Sequence, residues 1–189
     1  VEGRRGSAEA VSHLARVHGR RRIVCLTGPA ANHDAEARLR GYRDGLEAEG
    51  LAFDPGLLAP GDFSAARAAS SVRGLLARGT AFDAVLACDD EAAAGVCAAL
   101  AEGGIEVGAE VSVIGFDDQA FAARAAPPLA TLRTPIEQAG AEATRLLIAR
   151  IEGVPDIGSL VLPTVFVPRR SCGCAGLEAP PAGGPGRPR

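Results

Sequence analysis

Val111–Phe121 reads VSVIGFDDQAF, an apolar run that stops in two aspartates. Valine, isoleucine and phenylalanine in close succession fit a strand buried on both faces, as in a parallel sheet covered by helices. Sheets of that kind bind ligands beyond the carboxyl ends of their strands. Asp117 and Asp118 therefore fall where a ligand would be. The pattern recurs upstream, where FDAVLACDDEAAAG runs from Phe82 through an apolar stretch into Asp89 and Asp90 and then into an alanine-rich helix. Two strands that end in paired acids point to a shared rim.

The flanking sequence repeats this alternation of strand and helix. SAEAVSHLARVH sets Ala10, Val11, Leu14 and Val17 at helical spacing, and Gly19 is placed to end that helix. RRIVCLTGP gives a strand over residues 22–27 closed by Gly28-Pro29, and Asp34 is placed to cap a helix running to Gly50. A short strand around residues 57–59 and a helix capped by Ser64, carrying Ala68, Val72, Leu75 and Leu76, come next. Strands over 83–88 and 111–116 bracket a helix from Asp90 to Glu102, so Asp90 is expected as a cap, and Asp118 likewise for a short helix after it. PPLATLRTP is an extended crossing before a helix over 136–152, with Ile136, Leu146, Leu147 and Ile151 on its apolar side, and LVLPTVFVPRRS is β-like. Strands alternating with helices of about a dozen residues indicate βαβ units: an α/β fold with a parallel sheet flanked by helices.

With 47% hydrophobic residues, 23% charged residues and a formal charge of −3, the composition is that of a soluble globular chain and does not favour a nucleic-acid partner. The basic clusters Arg20–Arg22 and Arg169–Arg170 are expected as solvated strand ends. No stretch approaches the roughly 18 apolar residues of a membrane helix, and the start carries no secretory signal. Methionine is absent even at position 1, which gives the expectation of a piece from a longer chain. Every one of the 20 basic residues is arginine, which excludes Schiff-base and phosphate-loop chemistry that needs a lysine amine.

Cys25, Cys88 and Cys97 lie inside apolar patterns and read as small buried hydrophobes. Cys172-Gly-Cys174 near the end matches no zinc signature in its spacing, so no metal site and no cofactor are expected. Five cysteines argue against a disulfide framework, and a reducing cytoplasm is the default. No dinucleotide fingerprint, Walker loop or nucleophile elbow is present. None of His13, His18 and His33 is tied to a nucleophile, and His33 reads as a solvated loop residue. A magnesium site on Asp89, Asp90, Asp117 and Asp118 stays open as an alternative.

Taken in order, RRIVCLTGPAANHDAEARLRGYRDGL, PGDFS, AVLACDDEAAAG, VSVIGFDD, PPLATLRTP and VPRRSC give the chain a family likeness. From about Gly6 to Ser171 it resembles the lactose-repressor/galactose-repressor (LacI/GalR) family of transcriptional regulators. That resemblance implies a periplasmic-binding-protein-like type I effector domain whose amino-terminal lobe is mostly missing here. Residues 1–133 would form the carboxyl-terminal lobe, 134–163 would lend a helix and a strand to the other lobe, 164–171 would return as a strand, and 172–189 would be a disordered tail. The expected function is sensing of a small polar effector, a sugar in the first instance, between two lobes. The sensor would be no enzyme, but a cytoplasmic homodimer that meets DNA only through a helix-turn-helix headpiece outside this sequence, and no membrane.

The family's effector contacts carry over to Asn32, Asp34 and Arg38 after the T-G-P turn, Phe63 after G-D, Asp89 at a strand end, and Asp117, the first aspartate of G-F-D-D. This set suits a polyol: carboxylates accept from vicinal hydroxyls, a guanidinium donates in a planar fork, and an aromatic face covers a sugar ring. Three alternatives stand beside the regulator: a sugar-binding protein of an uptake system, a sensor fused to another signalling module, and a magnesium-dependent phosphate-handling enzyme.

Overall fold

The computed structural model describes residues 1–154 and 158–174. In chain order the elements are α1 (Gly3–His18), β1 (Ile23–Thr27), α2 (His33–Ala48), β2 (Leu58–Pro60), α3 (Ala65–Ala77), β3 (Ala84–Leu86), α4 (Asp90–Glu102), β4 (Ser112–Asp117), β5 (Ala130–Arg133), α5 (Ile136–Ile151) and β6 (Val165–Val167). The six strands form one sheet in the order β2-β1-β3-β4-β5-β6. β1 to β5 run parallel, and β6 pairs antiparallel with β5.

Successive residues of a strand point to opposite faces, so each strand feeds two cores. Val24, Leu26, Val85 and Val113 pack under α3 and α4 with Ala68, Val72, Leu75, Val96 and Leu100. Ile23, Cys25, Leu86, Ile114, Phe116 and Leu132 pack under α1 and α2 with Val11, Leu14, Tyr42 and Leu46. At about 1.5–3 kcal/mol for each large apolar side chain fully buried, these two layers are the main stabilising term. The helices approach closely because small residues line their crossings. A β-carbon built on Gly41 would lie 1.9 Å from the Arg4 carbonyl oxygen, and one on Gly95 2.0 Å from that of Ala65.

The structure differs from the sequence reading in several places, each with a local cause. Asn32, not Asp34, caps α2, its side chain accepting from Ala35 N–H at 3.0 Å. Val17 faces solvent instead of the core. The expected strand before β6 is not formed, since residues 158–164 have no neighbouring strand to pair with; the segment touches α1 where Glu2 N–H donates to the Leu162 carbonyl at 2.9 Å. Arg169 is not a solvated strand end, being 7% exposed, and Cys172 is fully buried in a 3₁₀ turn over Arg170–Cys172. Residues 172–174, expected in a disordered tail, are thus held against the fold, and the rest of that expected tail, residues 175–189, lies outside the described residues.

Helix α5 has no buried residue. Ile136 is 72% exposed and Ile151 76%, with Leu147 and Ile148 also exposed, so most of its apolar side is left uncovered among the described residues. No helix among them is long and apolar enough to cross a membrane.

Candidate functional site

The carboxyl ends of β1 to β4 form one rim, and the backbone there is unusual. Among the described residues, five non-glycine residues have positive φ: Ala31, Asp62, Phe63, Asp117 and Asp118. All five lie at or just after the carboxyl end of a strand. Such conformations cost of order 1 kcal/mol or more and collect where a binding site dictates backbone direction.

Arg38 is the centre of this rim. Its guanidinium lies over the Phe116 ring, 3.7 Å from the centroid, and 5.7 Å from that of Phe63. One terminal nitrogen donates to the Cys88 carbonyl oxygen, and the other reaches Asp117 Oδ1 at 3.4 Å. Arg38 Nε is buried and makes no hydrogen bond. Asp117 Oδ1 also accepts from the Thr134 hydroxyl at 3.1 Å. Phe63 is pressed between rim and core, and Gly28 makes room for it, since a β-carbon there would lie 2.8 Å from the Phe63 ring.

Asp89 follows β3 on the same rim. Its carboxylate accepts from Ala92 N–H at 2.8 Å and caps α4, the task expected of Asp90. Burial pushes the Asp89 carboxyl upward, the Ala92 bond opposes this, and the Asp117 charge adds to the rise. Asp90 is instead fully buried beneath the rim. It accepts from the Thr131 hydroxyl at 2.6 Å and from Gln119 N–H at 2.7 Å. Burial lifts its pKa to about 6. Nor is Asp118 a cap: it accepts from Arg133 Nε at 2.6 Å and from Arg169 at 2.7 Å.

Arg38, Phe63, Asp89 and Asp117 are thus brought together. Asn32 is turned into its capping role, while Asp34 and His33 stand exposed in the first turn of α2. The sequence reading missed Thr134 and the Cys88 carbonyl, although Thr134 lies inside the quoted PPLATLRTP. The four acids raised for magnesium do not gather: Asp90 and Asp118 are taken by internal partners, and no acidic cluster forms among the described residues. The rim by itself encloses little, since the void beneath Arg38 holds about 10 Å³, room for roughly one water.

A second grouping sits at the opposite, amino-terminal end of the sheet. There His13, His18, Cys172 and Cys174 converge, with their ligand atoms all within 4.8 Å of one another. No zinc spacing is visible along the chain because both cysteines lie more than 150 positions beyond the histidines.

Residues 11–172 match the family model of the periplasmic binding protein-like domain. The chain belongs to this family. Within it the chain is of the LacI/GalR type. It is 35% identical over 167 residues to the HTH-type transcriptional regulator CelR of Thermobifida fusca, covering 88% of this chain and 49% of that protein. To the HTH-type transcriptional regulator GalR of Escherichia coli K12 it is 35% identical over 181 residues, covering 95% and 52%. The ribose operon repressor of the same organism is 36% identical over 133 residues, covering 70% and 40%. Among solved structures, a CelR–cellobiose complex superposes with a TM-score of 0.86 at 34% identity, covering 90% of this chain and 52% of that one. The lac repressor bound to ONPG in its repressed state gives 0.84 at 29%, covering 90% and 51%. The LacI/GalR-type chain thus spans about half the length of the relatives it matches.

Proposed function

We propose that this chain is the effector-sensing part of a LacI/GalR-type transcriptional regulator, and that its rim grips a small neutral polyol, a sugar. The observation that carries this reading is the convergence of Arg38, Phe63 and Asp117 at the strained carboxyl ends of adjacent strands. A guanidinium and carboxylates give donors and acceptors for hydroxyls, and Phe63 supplies an apolar face. The CelR relative is known in complex with cellobiose, in line with a sugar here.

In this reading residues 1–133 make the carboxyl-terminal lobe, 134–163 contribute to a second lobe and 164–171 return. The bare apolar side of α5 supports that division, because it needs a surface from elsewhere in the longer protein to cover it. The effector sits between lobes, favours one closed arrangement, and so alters the spacing of two DNA-binding headpieces across a homodimer in the cytoplasm.

A thermal-shift screen of sugars and nucleosides on the full-length protein tests this. One sugar raises the melting temperature, and Asp117→Ala reduces the rise. Magnesium binding lost in Asp117→Asn, with no response to any sugar, would move the protein to the phosphate-handling class.

A further inference from the structure

The effector rim leaves two histidines and two cysteines unused. His13 and His18, in the carboxyl-terminal half of α1, point Nε2 to Nε2 at 3.1 Å. From the far end of the described chain, Cys174 Sγ lies 3.5 Å from His13 Nε2 and 3.4 Å from His18 Nε2. Cys172 Sγ lies 3.7 Å from His13 Nε2. A tetrahedral zinc ion, with bonds of about 2.3 Å to sulfur and about 2.0–2.1 Å to nitrogen, requires edges of roughly 3.3 Å between nitrogens and roughly 3.5 Å between nitrogen and sulfur. These four separations fall close to those edges, and the remaining two lie within 4.8 Å. Hydrogen bonding alone explains the cluster poorly, since two facing Nε2 atoms share a single proton and thiols are weak donors.

The surroundings hold this geometry in place. Gly173, at φ +103°, lets the C-G-C segment fold tightly: a β-carbon there would lie 2.9 Å from the Gly108 carbonyl oxygen and 3.0 Å from His18 Nδ1. Phe166 packs against His13 with ring centroids 4.5 Å apart. The Ser112 hydroxyl donates to the Cys172 carbonyl at 2.8 Å and anchors the turn to the start of β4. Cys174 also borders a groove of about 550 Å³ lined by Ile105, Val107 and Pro127, a route from solvent.

We propose that His13, His18, Cys172 and Cys174 form a structural zinc site that fastens the carboxyl-terminal segment to α1. A borderline-soft divalent ion suits two imidazoles and two thiolates in a closed tetrahedron. Binding converts both thiols to thiolates and releases two protons to solvent, so the ion's two positive charges are neutralised in place. The Cys172 thiol, which donates to the Arg169 carbonyl at 3.1 Å, gives up that proton. The site lies at the start of β4, whereas Asp117 ends that strand, roughly 15 Å away by strand rise. Its role is therefore to close a long loop of chain rather than to touch the effector.

Elemental analysis of the full-length protein, purified under reducing conditions with zinc supplied, tests the site. The expected result is one zinc per chain. Cobalt substitution should give the visible bands of a tetrahedral ion together with sulfur-to-cobalt charge transfer. Cys174→Ser and His18→Ala should each weaken zinc binding by roughly tenfold or more, while Cys97→Ser, in the neighbouring groove, leaves it unchanged. Absence of zinc, a cobalt spectrum without sulfur bands, or zinc binding unaltered by Cys174→Ser overturns the proposal. So does a Cys172–Cys174 disulfide, seen as a 2 Da loss (about two hydrogens), in protein kept reduced. The cobalt spectrum is read on the unsubstituted chain, so a variant that fails to fold does not remove the test.

Discussion

The Thr131 hydroxyl donates to Asp90 Oδ1 at 2.6 Å, joining the first residue of α4 to the middle of β5 with both side chains shut off from solvent. Burial raises the Asp90 pKa from 3.8 to about 6. An acid whose pKa is raised on folding binds its proton more tightly in the folded state, so it favours folding at low pH. That contribution is complete below about pH 4 and is lost as pH rises through 6. Urea unfolding of the protein and of Asp90→Asn between pH 4 and 7.5 should show the stability difference shifting in favour of the variant as pH rises. The size of the shift should be of order 2–3 kcal/mol. A difference that stays flat across this range refutes the assignment.

Helix crossings without room for a methyl group give a second prediction. Gly95→Ala places a β-carbon 2.0 Å from the Ala65 carbonyl oxygen, a backbone atom that cannot rotate aside, and Gly41→Ala meets Arg4 in the same way. Each should destabilise the fold by about 1–3 kcal/mol or more through overpacking. Gly140→Ala, in α5 with nothing near its β-carbon, should be neutral or stabilising. Chemical denaturation of the three variants separates these outcomes, and equal effects would contradict the packing.

Asp118 stands between Arg133 and Arg169, and its pair with Arg169 is 8% exposed on both sides. Removing Arg169 strips Asp118 of its buried partner and leaves only Arg133, whose side chain is more exposed, so Arg169→Met should cost about 1.5–3 kcal/mol. Asp118 has φ +57°, which asparagine tolerates, and Asp118→Asn in the Arg169→Met background should recover part of the loss. Strictly additive losses in the double-variant cycle would show that the pair is not coupled.

Element types were legible in the sequence because buried parallel strands read as short apolar runs, and the helix over Asp90–Glu102 has its expected bounds. The roles within each aspartate doublet were not. Which of Asp89 and Asp90 caps α4 depends on where the chain leaves β3, a shift of one residue that composition does not record. The partner that claims Asp90 is Thr131, 41 positions away, and only the β4–β5 pairing brings it there. Arg169 looked like a solvated strand end because its partner Asp118 lies 51 positions upstream. The four-residue histidine and cysteine cluster was hidden for the same reason. Local spacing reports helices and turns, whereas these contacts are made by the order of strands in the sheet.

Asp117 provides the sharpest test of the rim. Its Oδ1 meets both Thr134 and Arg38, and its backbone φ of +101° aims it out of β4. Asp117→Asn keeps the side-chain shape and an oxygen for Thr134 but removes the charge, whereas Asp117→Ala removes both acceptors. Against the effector found by screening, Ala should lose about 1.5–3 kcal/mol, roughly 10- to 150-fold in Kd. Asn should fall between Ala and the unsubstituted protein. Arg38→Leu should also weaken binding, and it should lower stability because the guanidinium packs over Phe116 and holds the Cys88 carbonyl. Titration calorimetry gives the affinities, and denaturation of the same samples separates binding from folding. Full affinity in Asp117→Ala would remove this residue from the effector site, whatever the stability of the variant.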